Sequence, residues 1–258
     1  MALRAVVVGG GLGGLAAALA LARAGIDVGV YEQAQQLTEV GAGVSLAPNG
    51  LRMLERLGVG EGIRQKGARY VSAQLRFSDG SAVRHEPDQF TRPGQNIGIH
   101  RADLLALLAG QLLPGTVRTG HRCTDFIQDA GSATAVFADG TTATADVVIG
   151  ADGIHSVLQG FVVASARPVF SGVVAYRGLV PRVAGYPADA LRMWVGQSKH
   201  FLVFPVRPGE LLNYVGFVPS GTEVRESWSA PGDAARAAPG SSGGCTTGRR
   251  CPGGAAGG

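Results

Sequence analysis

The 258-residue chain is poor in cysteine, with only Cys123, Cys245 and Cys251. An odd number of cysteines without a repeated spacing predicts no disulfide framework, and no pairing of cysteine with histidine indicates a zinc site. We therefore expect no bound metal. The same scarcity argues against the disulfide-rich secreted class and favours a reducing, cytoplasmic location.

Charged residues are also scarce, at 16% of the chain. The net charge is +4, and part of it comes from the segment after Pro231, which holds three arginines against Asp233. No run of lysine and arginine and no basic stripe interleaved with aromatic residues supports nucleic-acid binding. The sequence predicts no nucleic-acid partner and leaves the oligomeric state undetermined.

Long apolar runs are rare, but the uncharged stretch AVVVGGGLGGLAAALALA, residues 5–22, reaches the length of a membrane-spanning segment. Ala20-Leu21-Ala22 also imitates the cleavage site of a signal peptide. Five glycines lie in its middle, and each costs a helix up to about 1 kcal/mol relative to alanine. We interpret the stretch as a buried strand, a glycine turn and a helix, and we expect no membrane segment.

Glycine is abundant, with 41 residues, and its placement at the start of the chain predicts a nucleotide-binding unit. Ala5 to Val8 is a short β-branched run typical of a buried strand. Leu12 to Ala24 favours a helix, with Gly25 where a helix-ending glycine belongs. Asp27 to Gln33 then indicates a second strand. This order is half of a doubly wound α/β fold.

Gly9, Gly11 and Gly14 satisfy the G-x-G-x-x-G pattern between this strand and helix. They permit a tight turn, the approach of a pyrophosphate to the backbone, and close packing of the helix. Glu32, at the end of the next strand, can accept both hydroxyls of an adenosine ribose and would repel a 2′-phosphate. NAD or FAD is therefore expected rather than NADP; the alternative is a glycine-rich turn beside a solvated glutamate.

Downstream patterns predict further elements. We expect a helix over Leu51–Leu57, a hairpin over Tyr70–His85, and a helix that follows His100-Arg101 and ends near Pro114. A strand is expected over Thr116–Ile127. Further strands are predicted over Ala133–Phe137 and Thr142–Ile149, and as a mainly antiparallel sheet within 169–218.

Several motifs in this order resemble the FAD-dependent aromatic hydroxylases, the salicylate-hydroxylase-like flavin monooxygenases. The resembling segments are GGGLGGLAAALALARAGIDVGVYEQ, GAGVSLAPNGLRMLERLGV, HRADLLALL, VVIGADGIHSV and VAYRGLVP. The resemblance implies an α/β fold in which a mainly antiparallel β-sheet substrate domain is inserted into a Rossmann-like FAD-binding domain. The FAD-binding domain is expected at 1–69 and 97–164, the partial substrate domain at 70–96 and 165–230, and a disordered tail at 231–258.

The resemblance also implies roles for individual residues. Gly43 and Val44 would run beside the flavin, and Arg101 would contact FAD; the alternative for Arg101 is a cation that caps its helix. Cys123 would lie near the adenine as a small packing residue. Asp152, in the GADGIHS segment, would orient groups on the pyrophosphate side.

The chain departs from the family pattern at two places. Gln159 stands where the pattern has an arginine, which weakens the expectation for reductant binding more than that for FAD. No segment matches the family's second FAD motif, and the glycine-rich tail indicates a truncated or frameshifted homologue; a short family member with a flexible tail is the alternative.

The function implied by the resemblance is FAD-dependent hydroxylation of a small aromatic acid with NAD(P)H and O2, which the missing motif would impair. His200 and Tyr214 are the candidate catalytic residues on the substrate side. A histidine there can remove a proton from a phenol, and a histidine paired with a sheet neighbour is an equal alternative. The rival functions are a non-catalytic remnant and an FAD- or NAD-dependent dehydrogenase or reductase.

Overall fold

The computed structural model describes residues 2–37, 42–83, 96–164, 168–208 and 210–222. The predicted tail at 231–258 lies outside these residues. Within them the helices are α1 (Leu12–Arg23), α2 (Pro48–Arg56), α3 (Gly60–Lys66), α4 (Arg101–Ala109) and α5 (Gln159–Val162). The strands are β1 (Arg4–Val8), β2 (Asp27–Tyr31), β3 (Gly43–Leu46), β4 (Ala68–Tyr70), β5 (Ser72–Phe77), β6 (Asn96–His100), β7 (Val117–Arg118), β8 (Cys123–Gln128), β9 (Ala133–Phe137), β10 (Thr142–Ala145), β11 (Val147–Gly150), β12 (Val173–Pro181), β13 (Ala190–Gly196), β14 (Lys199–Arg207) and β15 (Leu211–Pro219).

The parallel sheet has the strand order β11-β1-β2-β7, and every neighbouring pair in it runs parallel. Four consecutive residues of β1 are buried because both faces of the strand are covered. Val7 packs with α1 and α4 on one face, whereas Val6 and Val8 pack on the other against Phe137 and its neighbours. The predicted strand, helix and strand at the start of the chain are confirmed, and Gly25 ends the helix region at φ +80°.

The outer sheet, β10-β9-β8, supplies that second apolar layer. Its β9–β10 hairpin turns at Asp139-Gly140, as the sequence predicts, with Gly140 at φ +82°. Ala135 and Phe137 alternate into the core while the residues between them face outward. The short β-branched and alanine-rich strands therefore cover the face of the parallel sheet opposite the helices.

Three predicted elements are wrong in extent. The strand expected over Thr142–Ile149 is two strands, since β10 (Thr142–Ala145) lies in the outer sheet and β11 (Val147–Gly150) in the parallel sheet. The strand expected over Thr116–Ile127 is two strands in different sheets, since β7 joins the parallel sheet and β8 the outer sheet. Gly120 lies between them at φ +80°, a conformation that breaks a strand. The helix after His100 ends at Ala109 rather than near Pro114, because Gly110 caps it.

The large sheet has the order β12-β15-β14-β13-β5, and all its pairs are antiparallel except β5 with β13. The predicted mainly antiparallel sheet is thus confirmed. Its β14–β15 hairpin turns after Arg207. The expected hairpin over Tyr70–His85 begins as predicted, with β5 turning back so that Arg76 bridges Ala82, but residues 84 and 85 lie outside the described ranges.

The small sheet, β3-β6-β4, lies between the parallel and large sheets and was not anticipated from the sequence. Its strand β4 ends at Tyr70 and β5 of the large sheet begins at Ser72. Val71, the single residue between them, donates its N–H to the Asp189 carbonyl at 2.8 Å. We call this point the corner. It connects the two sheets without a loop.

Candidate cofactor-binding site

The glycine turn after β1 is built by contacts that exclude any side chain. Gly9 has φ +109°, and a Cβ there would overlap the Ala151 carbonyl of the loop that follows β11. A Cβ on Gly14 would overlap the Gly9 carbonyl. Helix α1 therefore packs directly on the turn, which is the arrangement that the spacing of the three glycines predicts.

Gly11 lies on the open side of the same turn. It is the N-cap of α1, and among the described residues no side chain hydrogen-bonds to the helix N-terminus. A Cβ on Gly11 would meet no atom within 4 Å. The first turn of the helix thus presents backbone N–H groups to an open space beside Gly11. Such a space suits a phosphate.

Glu32 lies beside this space at the end of β2. Its Oε2 accepts the Gly10 N–H at 2.6 Å, and its Oε1 accepts the Ala34 N–H at 2.8 Å. Two backbone donors therefore fix the carboxylate, and each oxygen keeps a further lone pair for a hydroxyl donor. The charge disfavours a phosphate at the same point.

A cleft of about 240 Å³ joins these groups at the carboxyl ends of the parallel strands, where open α/β sheets bind their ligands. It brings together five of the predicted site residues, namely Gly9, Gly11, Glu32, Cys123 and Asp152. A larger groove, of about 520 Å³, contains none of them. It lies at the opposite end of the sheet, beside Gly25 and Leu113.

An aromatic cluster forms the wall of the cleft next to Glu32. Tyr31 stacks on Phe137 with ring centroids 4.7 Å apart, and the His121 ring meets Tyr31 edge-on at 5.4 Å. The His121 N–H donates to the Glu32 carbonyl at 2.9 Å. Tyr31 and His121 line the cleft. The family resemblance places the strand that holds His121 against the adenine, whereas Tyr31 was not singled out from the sequence, where it occurs in ordinary strand-like surroundings.

Cys123 is 7% exposed at the base of this wall. Burial raises the pKa of its thiol, an effect that the Asp125 backbone partly opposes and the nearby Asp152 charge strengthens. A thiol with a raised pKa is a poor nucleophile, since the thiolate is the reactive form. The structure agrees with a packing residue beside the cleft.

Asp152 contributes through the loop that it folds. Its Oδ1 accepts the Ser156 hydroxyl at 2.6 Å, and its Oδ2 accepts the backbone N–H groups of Val157 at 2.7 Å and Leu158 at 3.2 Å. The carboxylate thus fixes the segment that closes the cleft opposite Gly11. Gln159, where the family pattern has an arginine, is exposed on the far side of this loop and does not line the cleft.

The remaining predicted cofactor residues lie on the small sheet and α4. Gly43 and Val44 belong to β3, which pairs with β6. Arg101 begins α4, and its backbone N–H donates to the Ala42 carbonyl at 2.8 Å. His100, not Arg101, caps the helix: its Nδ1 accepts the Ala102 N–H at 3.1 Å. These residues form a second group outside the cleft, which agrees with a ligand long enough to reach both groups.

The two substrate-side candidates lie on opposite faces of the large sheet. Residues 200, 202 and 204 of β14 share one face, and Phe204 is registered with Asn213 of β15. Phe204 and Asn213 contact the small sheet at Gly98 and Gly43 respectively, so we call this the near face.

His200 lies at the uncovered end of the near face and stacks on Phe217 with centroids 4.2 Å apart. Tyr214 follows Asn213 and lies on the far face, where its ring covers Gly178 and stacks on Phe201 at 6.0 Å. The register therefore places these two candidates on opposite faces, because adjacent positions of a strand point to opposite faces. Only His200 shares the face that meets Gly43.

In the described part of the chain, no three histidine, cysteine, aspartate or glutamate side chains are close enough to hold a metal ion. No helix there has both the length and the apolar character needed to cross a membrane.

Comparisons with known proteins agree with this geometry. The family described as "FAD binding domain" matches residues 2–239. A 3-amino-4-hydroxybenzoate 2-monooxygenase of Streptomyces platensis is 37% identical over 91% of this chain and 62% of its own length. A salicylate hydroxylase of Pseudomonas putida is 36% identical over 89% and 58%.

Among solved structures, Klebsiella pneumoniae HpxO complexed with FAD and uric acid superimposes with a TM-score of 0.78 and 30% identity. That match covers 87% of this chain and 58% of HpxO. The chain thus spans about 60% of the length of the relatives it matches.

Proposed function

Because the chain belongs to the FAD binding domain family, we propose that it binds FAD, with the adenosine and pyrophosphate in the cleft and the flavin beside β3. The observation that carries this proposal is the open space at Gly11, bounded by backbone N–H groups on one side and by Glu32 on the other. A dinucleotide fits because its phosphates and its ribose hydroxyls need those two kinds of partner.

Each group of residues has a separate task in this proposal. The N-terminus of α1 would hold the pyrophosphate, and Glu32 would accept the ribose hydroxyls. Tyr31, His121 and Cys123 would form the apolar wall at the adenine. Arg101 and the strand from Gly43 would meet the flavin end, which a ligand reaches by crossing the edge of the parallel sheet toward the small sheet.

We further propose that the function is hydroxylation of a small aromatic acid, with NAD(P)H as reductant and O2 as oxidant. When bound, FAD would supply the redox and oxygen chemistry. The names of the two monooxygenase relatives support this reaction class. His200 would face the aromatic ring from the near face and take a proton from a phenolic hydroxyl. A buried free thiol at Cys123 agrees with a cytoplasmic location.

The proposal is tested first by binding. Purified protein, titrated with FAD, should quench flavin fluorescence and acquire flavin absorption bands at close to equimolar content. Gly11→Val should abolish this binding without loss of stability, since the new side chain enters the open space and touches no protein atom within 4 Å at its Cβ. Gly50→Val in α2 is the matched control, because its Cβ also meets nothing within 4 Å and it lies outside the residues proposed to bind FAD.

The reaction is tested separately. With FAD bound, NADH or NADPH consumption should rise on addition of salicylate or a hydroxybenzoate, and mass spectrometry should find a product heavier by one oxygen atom. Reductant consumption without a hydroxylated product would favour a reductase or dehydrogenase. A protein that FAD cannot reconstitute would favour the non-catalytic remnant.

A further inference from the structure

Asn213 is a polar residue in an unusual place. It lies in the apolar segment LLNYVGFV of β15 and is 0% exposed. Burial of a carboxamide is unfavourable unless its donors and its acceptor find partners. A side chain of similar size without polar atoms would fill the same space, so the amide calls for an explanation from its contacts.

The carboxamide oxygen has a specific partner in the small sheet. Asn213 Oδ1 accepts the Gly43 N–H at 2.7 Å, across 170 positions of sequence. The approach is as close as glycine allows, because a Cβ on Gly43 would lie 2.7 Å from Asn213 Cβ and would overlap Val206. The near face of the large sheet is therefore fixed on the strand β3 at this one amide.

The carboxamide nitrogen has no such partner. Asn213 Nδ2 is buried and has no hydrogen-bond acceptor among the described residues. A buried donor without an acceptor is rare in folded proteins and calls for an explanation, of which a bound group is one. The Nδ2–H groups of Asn213 can therefore donate to a ligand atom that lies beside β3.

We propose that Asn213 is a positioning residue for the flavin end of the cofactor. Its Oδ1 holds the Gly43 amide, which sets the distance between β3 and the large sheet, and its Nδ2–H donates to a carbonyl oxygen or ring nitrogen of the flavin. This role rests on the proposed function, since the flavin is what places an acceptor beside β3. It links the ligand to the near face that carries His200, without contact between Asn213 and the substrate.

Two variants separate the two halves of the side chain. Asn213→Leu removes donor and acceptor at nearly constant volume, whereas Asn213→Asp keeps an acceptor for Gly43 and supplies no donor when ionised. Backbone amide exchange over residues 42–46 reports on the contact with Gly43. Affinities for FAD and for ADP report on the ligand, and ADP is the control because it lacks the flavin.

We expect exchange at Gly43 to be at least about tenfold faster in Asn213→Leu and close to wild type in Asn213→Asp. FAD affinity should fall about tenfold in both variants, with ADP affinity within about twofold of wild type. Circular dichroism identifies a variant that does not fold; if Asn213→Leu is such a variant, the Asn213→Asp results decide.

Three results would overturn the proposal in distinct ways. Unchanged amide exchange at Gly43 in Asn213→Leu would contradict the role of Asn213 Oδ1 in holding the Gly43 amide of β3. Equal losses of FAD and ADP affinity would show a general structural effect. Wild-type FAD affinity in Asn213→Leu, or in Asn213→Asp at a pH at which its carboxyl is ionised, would remove the Nδ2 donor. If the wild-type chain binds ADP but not FAD, the proposed function and the donor both fail, while the exchange data still decide the hold on Gly43.

Discussion

The turn after β1 and the contact between the small and large sheets both depend on a glycine that packs against another group. They differ in how far apart the two partners are in the sequence. In both, glycine lets one backbone approach another group more closely than a Cβ would permit. At the turn, Gly14 approaches Gly9, five positions away, in a fixed spacing. At the sheets, Gly43 approaches Asn213, which is 170 positions away, and no fixed sequence spacing relates the two residues. The local approach leaves a spacing that identifies its own partner, whereas the GAGV segment that holds Gly43 carries no information about Asn213.

The largest loss of stability is expected from a substitution at the turn after β1. Gly14→Ala should destabilise the protein by about 3 kcal/mol, because its Cβ would overlap the Gly9 carbonyl and backbone cannot move aside as a side chain can. Urea denaturation measures the change. Gly13→Ala, in the same helix with no atom within 4 Å of its Cβ, should be neutral or stabilising by up to about 1 kcal/mol. Equal effects of the two would contradict the packing role of Gly14.

The corresponding test at the sheets should give a smaller effect. Gly43→Ala should cost about 2 kcal/mol, since the new Cβ would meet side-chain atoms of Val206 and Asn213 that can partly relax. The control is Gly50→Ala in α2, whose Cβ meets nothing within 4 Å. If Gly43→Ala destabilised more than Gly14→Ala in urea, the distant contact would be the more rigid of the two.

Polar contacts within the large sheet should contribute less. The Tyr186 hydroxyl lies 2.9 Å from the Val203 carbonyl and 3.1 Å from that of Ala190, and Tyr186→Phe should cost about 1 kcal/mol. Burial raises the pKa of Tyr186 to about 12, an effect that Arg192 partly opposes.

The pH dependence of that contribution follows from the direction of the shift. Folding favours the neutral phenol, so the contribution of Tyr186 is fully present below its usual pKa of 10.0 and is lost as the pH rises toward about 12. The stability difference between wild type and Tyr186→Phe should therefore shrink over this window. A difference that grows with pH would contradict the raised pKa.

The smallest effect is expected at the ion pair between strand β14 of the large sheet and helix α4. Arg207, at the end of β14, donates Nε and one terminal nitrogen to Asp103 of α4 at 3.1 and 3.2 Å. Its side chain is 40% exposed, so Arg207→Gln should cost no more than about 1 kcal/mol and less at high salt. Arg64→Gln, which removes a more exposed pair with Glu55, should change stability by less than that.

The sequence predicts well what depends on neighbours along the chain. The strand, turn and helix from Arg4 to Arg23 follow from β-branched residues, spaced glycines and helix-favouring alanines. The cleft residue Glu32 could be found because it lies at the end of the strand that follows the glycine motif, and Asp152 because its segment GADGIHS resembles a family motif. These features need no knowledge of how distant segments pair.

What could not be predicted depends on register and on contacts across the chain. Strands β3 and β6 are short and glycine-containing, and they become recognisable as strands only through their mutual pairing. Tyr214 was a reasonable candidate by composition, but only the pairing of β14 with β15 shows that it faces away from Gly43. Asn213 carried a signal, a lone amide inside an apolar strand, whose meaning depends on a partner far away in sequence.

The corner at Val71 has a mechanical consequence. A single residue, Val71, separates β4 from β5, and its N–H is hydrogen-bonded to the Asp189 carbonyl. The small and large sheets therefore have little freedom to move relative to each other at this point. Tyr70, the last residue of β4, hydrogen-bonds Ser45 of β3 at 2.5 Å. A displacement of β5 in the large sheet would therefore be transmitted through Val71 and Tyr70 to β3, the strand that carries Gly43.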